Sequence, residues 1–197
     1  MISKPATTEV KIDDILQNRW SPRAFDANKP VTGELLAAIL EAARWAPSCM
    51  NEQPWRFVVC DKQQDETAWQ TLLACLADKN QQWACHAPVL ILSVAMNRFA
   101  HHDKDNRWAA YDTGAASLSL CVQATALGLV THQMGGFDVD ACRQHFALPD
   151  ACSPMTVIAL GYQAESDHLN AEFKDKEAAP RSRAALDERF YFGSWPC

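Results

Sequence analysis

Residues 108–127 read WAAYDTGAASLSLCVQATAL, and this stretch limits the folds open to the chain more than any other. Its apolar residues do not alternate as a strand's would, and a helix of that length is about 30 Å long. It is apolar on most sides. Such a helix is expected to be buried all round, at the centre of a domain or in a subunit interface. A bilayer would also cover it, but Ser117, Ser119, Gln123 and Thr125 interrupt the run. The longest clean apolar run, Ala87 to Met96, is too short to span one. The helix therefore needs a core, and 197 residues suffice for one sizeable domain, or one subunit of an oligomer.

The flanking sequence supplies the partners. Ile12 to Asn18 reads as a short helix with Ile12, Ile15 and Leu16 on one side. Thr32 is a candidate N-cap for a helix through about Trp45, and Leu35, Leu36, Ile39, Leu40 and Ala43 give it an apolar stripe. Strands are expected at Trp55–Cys60, Val89–Met96, Leu129–Gln133 and Met155–Gly161, with helices at about Glu66–Ala77 and Val139–Phe146. Interleaved helices and few, short strands favour an α+β or α/β sandwich around a sheet of about five strands. After Tyr162 the chain turns polar, with few apolar anchors before Phe190, Tyr191, Phe192 and Trp195. A tail of that kind needs something to lie on, and another subunit is a reasonable candidate.

Charge and cysteine usage narrow the partners. A net charge of −6 with no long basic run argues against nucleic acid and anionic membranes. The opening MISKPATTEVKID lacks an apolar signal-peptide region, so the expected location is the cytoplasm. Eight cysteines include no C-x-x-C pair, and most sit in apolar settings, as Cys60 does in FVVCD and Cys121 in LSLCVQ. They are expected to be reduced, buried small hydrophobes. Neither Cys85-His86 nor His101-His102-Asp103 has the spacing of a structural zinc site, so no metal is expected.

Against this acidic background, RWSPRAF places Arg19 and Arg23 around Ser21 and Pro22. Proline removes a backbone donor and biases Ser21 toward an extended conformation, so a loop holds both guanidinium groups. Two forks and a hydroxyl suit a doubly charged group such as a phosphate monoester, although pairing with surface acids would also account for them. A second grouping, Arg181-Ser182-Arg183, lies in the tail. The loop PSCMNEQPW, residues 47–55, carries Ser, Asn and Gln that could read the edge of a flat heteroaromatic, or could form a solvated turn. Gly135-Gly136 would let the backbone approach a ligand face, or make a tight turn. No Ser-His-Asp, Cys-His or paired-carboxylate arrangement is evident, nor a G-x-G-x-x-G or Walker motif. Enzymatic chemistry would then fall to a cofactor, with no side chain cast as a catalytic residue.

Two motifs, Arg19-x-Ser21-x-Arg23-x-Phe25 and Ala46-Pro47-Ser48-x-x-Asn51-x-Gln53-Pro54-Trp55-x-Phe57, resemble the FMN-dependent nitroreductase family. The resemblance continues through Ala87-Pro88-Val89, Asp112-Thr113-Gly114-Ala115-Ala116, Ala126-Leu127-Gly128-Leu129 and Met134-Gly135-Gly136-Phe137. It closes with Leu160-Gly161-Tyr162 and Arg181-x-Arg183, and so covers nearly the whole chain in order.

That resemblance implies a nitroreductase-like three-layer α/β/α sandwich with a central mixed β-sheet, residues 1–197 forming one domain. It also implies a domain-intertwined homodimer whose tail, residues ~164–197, packs on the partner, with two FMN sites lined by both subunits. Arg19, Ser21, Arg23, Arg181 and Arg183 would hold the ribityl phosphate, with Trp20 contributing its backbone. Pro47, Ser48, Cys49, Met50 and Asn51, from the other subunit, would border the isoalloxazine ring. Met134, Gly135 and Gly136 would lie near N5, and Asn80 near the pyrimidine edge. NADH or NADPH would donate hydride to N5, and a nitroaromatic, quinone or related small acceptor would follow in the same pocket. Cys49 stands where serine is common, and Gly135 where some members carry an acid; both differences bear on substrate range. A flavin-binding or storage protein, or another branch of the fold such as a dehalogenase or flavin-modifying enzyme, are the alternatives.

Overall fold

The computed structural model describes residues 3–102 and 104–196, so Asp103 of the histidine cluster and Cys197 lie outside the described residues. Seven helices, α1 (Asp14–Asn18), α2 (Gly33–Arg44), α3 (Glu66–Ala74), α4 (Asp78–Ala84), α5 (Ala109–Ala126), α6 (Val139–His145) and α7 (Ala171–Ala178), accompany four strands among these residues. The strands are β1 (Trp55–Asp61), β2 (Val89–Met96), β3 (Val130–Met134) and β4 (Cys152–Gly161), in the spatial order β1-β2-β4-β3. The fold class is α+β.

Every neighbouring strand pair is antiparallel, so the mixed sheet of about five strands expected from the sequence is corrected to four antiparallel strands among the described residues. The reason lies in α5. It carries the chain from β2 to β3 as a crossover, and those two strands run the same way, but β4 inserts between them and is antiparallel to both. No parallel ladder can form.

Both faces of the sheet are covered. Leu90, Leu92 and Val94 of β2 share one buried cluster with Val157 and Ala159 of β4, Trp69 and Leu72 of α3, Trp83 of α4 and Cys142 of α6. Val89, Ile91, Ile158 and Leu160 pack on the other side against Leu36, Ile39 and Ala43 of α2 and Ala116, Leu120 and Ala124 of α5. Burial on both faces is why β2 reads as an unbroken apolar run instead of alternating. Thr32 caps α2 as expected, its Oγ1 accepting the Leu35 N–H at 3.4 Å.

The central helix differs from expectation. Its inner face is buried, but Tyr111, Gly114 and Leu118 form an exposed stripe at helical spacing, with Tyr111 80% and Leu118 50% accessible. In a single chain, α5 is thus not buried all round. The polar tail also begins less freely than its composition suggests. Leu169 and Phe173 are buried against the chain's own core, and the Ala164 N–H donates to the Ala24 carbonyl. No helix among the described residues is long and apolar enough to cross a membrane.

Gly161, at the end of β4, is held by close approach. A Cβ there would lie 2.6 Å from Pro88 Cδ and 3.2 Å from Phe25 Cδ1. Neither ring can swing away easily, so Gly161→Ala is expected to cost about 1–3 kcal/mol. Thermal unfolding should then occur roughly 2–4 °C lower per kcal/mol for a chain of this size; an unchanged midpoint would count against the packing argument.

Candidate functional site

The residues selected from the sequence form three groups. The first is the basic cluster. Asp13 caps α1 by accepting the Ile15 N–H, and the helix ends at Arg19, whose extended backbone leads into RWSPRAF. Arg19 Nη1 donates to Ser21 Oγ at 3.4 Å. Arg181 Nη1 donates at 2.8 Å to both the Lys4 and the Gln17 carbonyls, which ties the tail to the N-terminal arm and α1. Burial, followed by the charges of Arg19 and Arg183, holds the Arg181 pKa below its usual value. A cavity of about 550 Å³ opens between Arg19, Arg181, Ser182 and Arg183, with Val10, Leu16 and Leu186 as apolar wall. Arg19 of the first grouping therefore meets Arg181 and Arg183 of the second, from the opposite end of the chain.

Arg23 stands to one side of that cavity. Its backbone N–H donates to Glu177 Oε1 at 2.9 Å, and its Nη1 lies 3.7 Å from the same oxygen. Its guanidinium sits 6.0 Å from the Trp83 ring and 5.9 Å from the Phe173 ring. Lys4 connects the two parts. Its Nζ donates to the Glu177 carbonyl at 2.5 Å and lies 4.7 Å from the centre of the Trp20 ring. Burial lowers the Lys4 pKa; Glu177 opposes that, and Arg181 and Arg23 add to it. His132 of β3 packs 4.5 Å from Trp83 and donates its Nδ1 hydrogen to the Pro22 carbonyl at 3.0 Å. Burial pushes His132 down to about 4, offset in part by the Pro22 carbonyl and reinforced by Arg23. Lys4, His132 and Glu177 were not selected from the sequence. A lone lysine, histidine or glutamate in a polar segment carries no pattern to mark it.

The second group lies beyond the end of β3. Thr156 Oγ1 donates to the Met134 carbonyl at 2.9 Å. The Gly136 carbonyl accepts from the Ala77 N–H and from Asn80 Nδ2, each at 3.0 Å. Asn80 and Gly136 are thus neighbours, although 56 positions separate them. A Cβ on Gly136 would come within 3.0 Å of Asn80 Nδ2, so glycine is what permits this approach. A Cβ on Gly135 would meet nothing within 4 Å.

The third group is the loop after Pro47. Met50, Asn51 and Gln53 all adopt left-handed backbone, with φ of 54°, 57° and 52°. For residues other than glycine this conformation costs about 1–2 kcal/mol each, and it persists only where surrounding bonds over-determine it. Here Ser48 Oγ accepts the Gln53 N–H, and the buried carboxylate of Asp112 accepts the Cys49 N–H, both at 3.0 Å. Asp112 lies in the first turn of α5. Arg19, Trp20 and Lys4 instead line a small cavity with Thr125 and Gly128 at the helix's other end. From Asp112 to Thr125 is about 20 Å of helix. Within one chain, Pro47, Ser48, Cys49, Met50 and Asn51 are not brought to the basic cluster.

The seven described cysteines are all free. Burial pushes Cys60 up to about 11 and Cys142 up to about 12. Such thiols are poor nucleophiles at neutral pH.

Comparison with known proteins settles the ancestry of this arrangement. The model of the nitroreductase family matches residues 16–162. The chain belongs to the nitroreductase family. The match takes in every selected residue from Arg19 to Gly136, while Arg181 and Arg183 lie beyond it. Among solved structures, one described as "the oxidoreductase containing FMN" superposes with a TM-score of 0.92 at 34% identity, covering 100% of this chain and 98% of that one. A nitroreductase family protein from Clostridium difficile is 25% identical with a TM-score of 0.69, covering 92% and 97%. The "Major NAD(P)H-flavin oxidoreductase" of Aliivibrio fischeri is 25% identical over 88% of this chain and 94% of its own length. This nitroreductase-family chain therefore has relatives along nearly its whole extent.

Proposed function

We propose that the chain is an FMN-dependent oxidoreductase that uses NADH or NADPH to reduce nitroaromatic, quinone or related small organic acceptors, and that it works as a homodimer. The observation that carries this reading is the junction of Arg181 with the α1 exit, bonded to the Gln17 carbonyl across 164 positions of sequence. It gathers three arginines around one cavity, which fits a terminal phosphate. Ser21 and Arg19, together with Arg183 and the remaining donors of Arg181, would hold that phosphate. Each charge-assisted bond contributes ~1.5–3 kcal/mol. Asn80, Met134, Gly135 and Gly136 would line the ring edges. The open space at Gly135 leaves room there for donor and acceptor in turn. Bound FMN would supply the two-electron chemistry, with hydride entering and leaving at N5.

The dimer follows from the separation of the two regions. A flavin held by the basic cluster of one protomer can meet the Pro47–Asn51 loop only if a partner supplies it. The exposed Tyr111 and Leu118 stripe offers a surface for that partner. So do Phe190, Phe192 and Trp195, of which Phe192 is fully exposed. Helices on both faces of the sheet then form the three layers, and the end of the tail embraces the second copy.

The purified protein is expected to be yellow, to release FMN and not FAD on denaturation, and to bleach promptly when NADH or NADPH is added without oxygen. A colourless protein would remove the reading. A yellow protein that neither donor bleaches would favour flavin storage.

A further inference from the structure

Asp112 is a charged side chain only 4% exposed, in the first turn of α5, a helix that Trp108 starts without a side-chain cap. The partial positive charge of the helix N-terminus favours a carboxylate there. Its bond to the Cys49 N–H crosses 63 positions of sequence and is partly shielded from solvent. Within the loop, the Asn51 N–H donates to the Ser48 carbonyl at 3.1 Å and the Glu52 N–H to the Cys49 carbonyl at 3.0 Å. Those bonds shape the loop but move with it. The Ala100 N–H donates to Glu52 Oε1 at 2.6 Å, but this bond is exposed, and water competes for both groups. Asp112 is therefore the firmer of these two ties. Burial does not offset the strain. Met50 is left-handed and 76% exposed, an apolar side chain held out into water. Strain kept at an exposed surface points to a shape that serves contact with another molecule.

We propose that Asp112 is a positioning residue: through the Cys49 N–H it holds the strained loop as one wall of the pocket that takes the aromatic acceptor. The inference rests on the FMN and homodimer readings above, in which the loop stands beside a partner's flavin. It adds that acceptor binding depends on a buried carboxylate behind the loop, which touches neither acceptor nor flavin. Met50 and Asn51 would offer a thioether and an amide to a flat quinone or nitroarene, and the left-handed backbone sets their directions. Without the Asp112 bond the loop relaxes toward ordinary backbone, and the wall is lost while the basic cluster still holds the flavin.

Two measurements on the full-length protein test this. In the flavin-stripped protein, the half-buried Cys49 thiol is labelled with an aromatic disulfide reagent and mapped by mass spectrometry, with half-buried Cys85 as internal standard. Asp112→Ala should label about tenfold faster at Cys49 and within about twofold of wild type at Cys85. Asp112→Asn keeps an acceptor for the N–H and should label like wild type at both. In the flavin-loaded protein, Asp112→Ala should raise KM for menadione, a naphthoquinone, about tenfold, with kcat per bound flavin within about threefold. Cys49→Pro removes the same bond from the loop side, and proline fits the first position of this short 3₁₀ turn after the extended Ser48. It should raise KM likewise, alone or combined with Asp112→Ala, and it decides the matter if Asp112→Ala does not fold. Equal acceleration at Cys49 and Cys85 would show a merely structural role and overturn the proposal. So would an unchanged KM in either variant, or an Asp112→Asn protein as impaired as Asp112→Ala. A wild type that is colourless or reduces no quinone would instead overturn the FMN reading, while the thiol measurement still decides whether Asp112 holds the loop.

Discussion

A chain lacking residues 181–197 should purify without flavin and as a monomer, with its sheet intact. The cut falls after α7, so Leu169, Phe173 and Glu177 keep their places in the core. It removes Arg181 and Arg183 from the cavity and Phe190, Phe192 and Trp195 from the surface proposed for the partner. Losing two charge-assisted partners at ~1.5–3 kcal/mol each corresponds to roughly two to four orders of magnitude in flavin affinity. The full-length Arg181→Ala/Arg183→Ala variant separates the two roles, because it should lose flavin and keep the dimer. Absorbance at the flavin band and light scattering at low micromolar concentration read both outcomes. A yellow, dimeric truncated chain would contradict the assignment of the tail.

The second large effect concerns acid. His132 is held neutral in the folded chain, with its pKa pushed down to about 4 by burial, against about 6.5 in an unfolded one. Between those values the unfolded chain binds the extra proton, so stability is complete above pH 6.5 and declines as pH falls toward 4. The decline levels off below 4, where both states are protonated. At 1.36 kcal/mol per pKa unit, the loss attributable to His132 between pH 7 and 4.5 is about 2–3 kcal/mol. His132→Gln retains a donor for the Pro22 carbonyl and does not titrate. Urea unfolding at the two pH values should show that its acid-induced loss is smaller than wild type's by this amount. An equal loss in both proteins would mean that His132 does not titrate as its burial requires.

Much of this architecture is legible in the sequence, and the exceptions share a cause. Val89–Met96 is delimited correctly because a strand covered on both faces has only one composition available to it. α4 is not legible: DKNQQWA offers only Trp83 and Ala84 to the core, and the backbone of Ala77 starts it without a side-chain cap. α7 hides for a related reason, since one of its two buried positions is the charged Glu177. Strand direction is absent from any local pattern, because β4 reads the same whichever way it pairs. The exposed stripe of α5 has the apolar character of a core face, and composition does not say which molecule covers it. For the site, the motifs mark which residues gather. They do not mark Lys4, His132 and Glu177, which long-range packing alone recruits.

The bond from Arg181 to the Lys4 carbonyl joins positions 177 apart, and that from Arg23 to Glu177 joins positions 154 apart. Contacts so remote in sequence close late, because the entropy of bringing the ends together is met before they return anything. All four strands are made before either partner from the tail exists. The basic cluster is therefore among the last features to form as the chain is synthesised. A nascent or C-terminally clipped molecule can carry the sheet and the strained loop, yet keep only Arg19 of the three arginines that line the cavity.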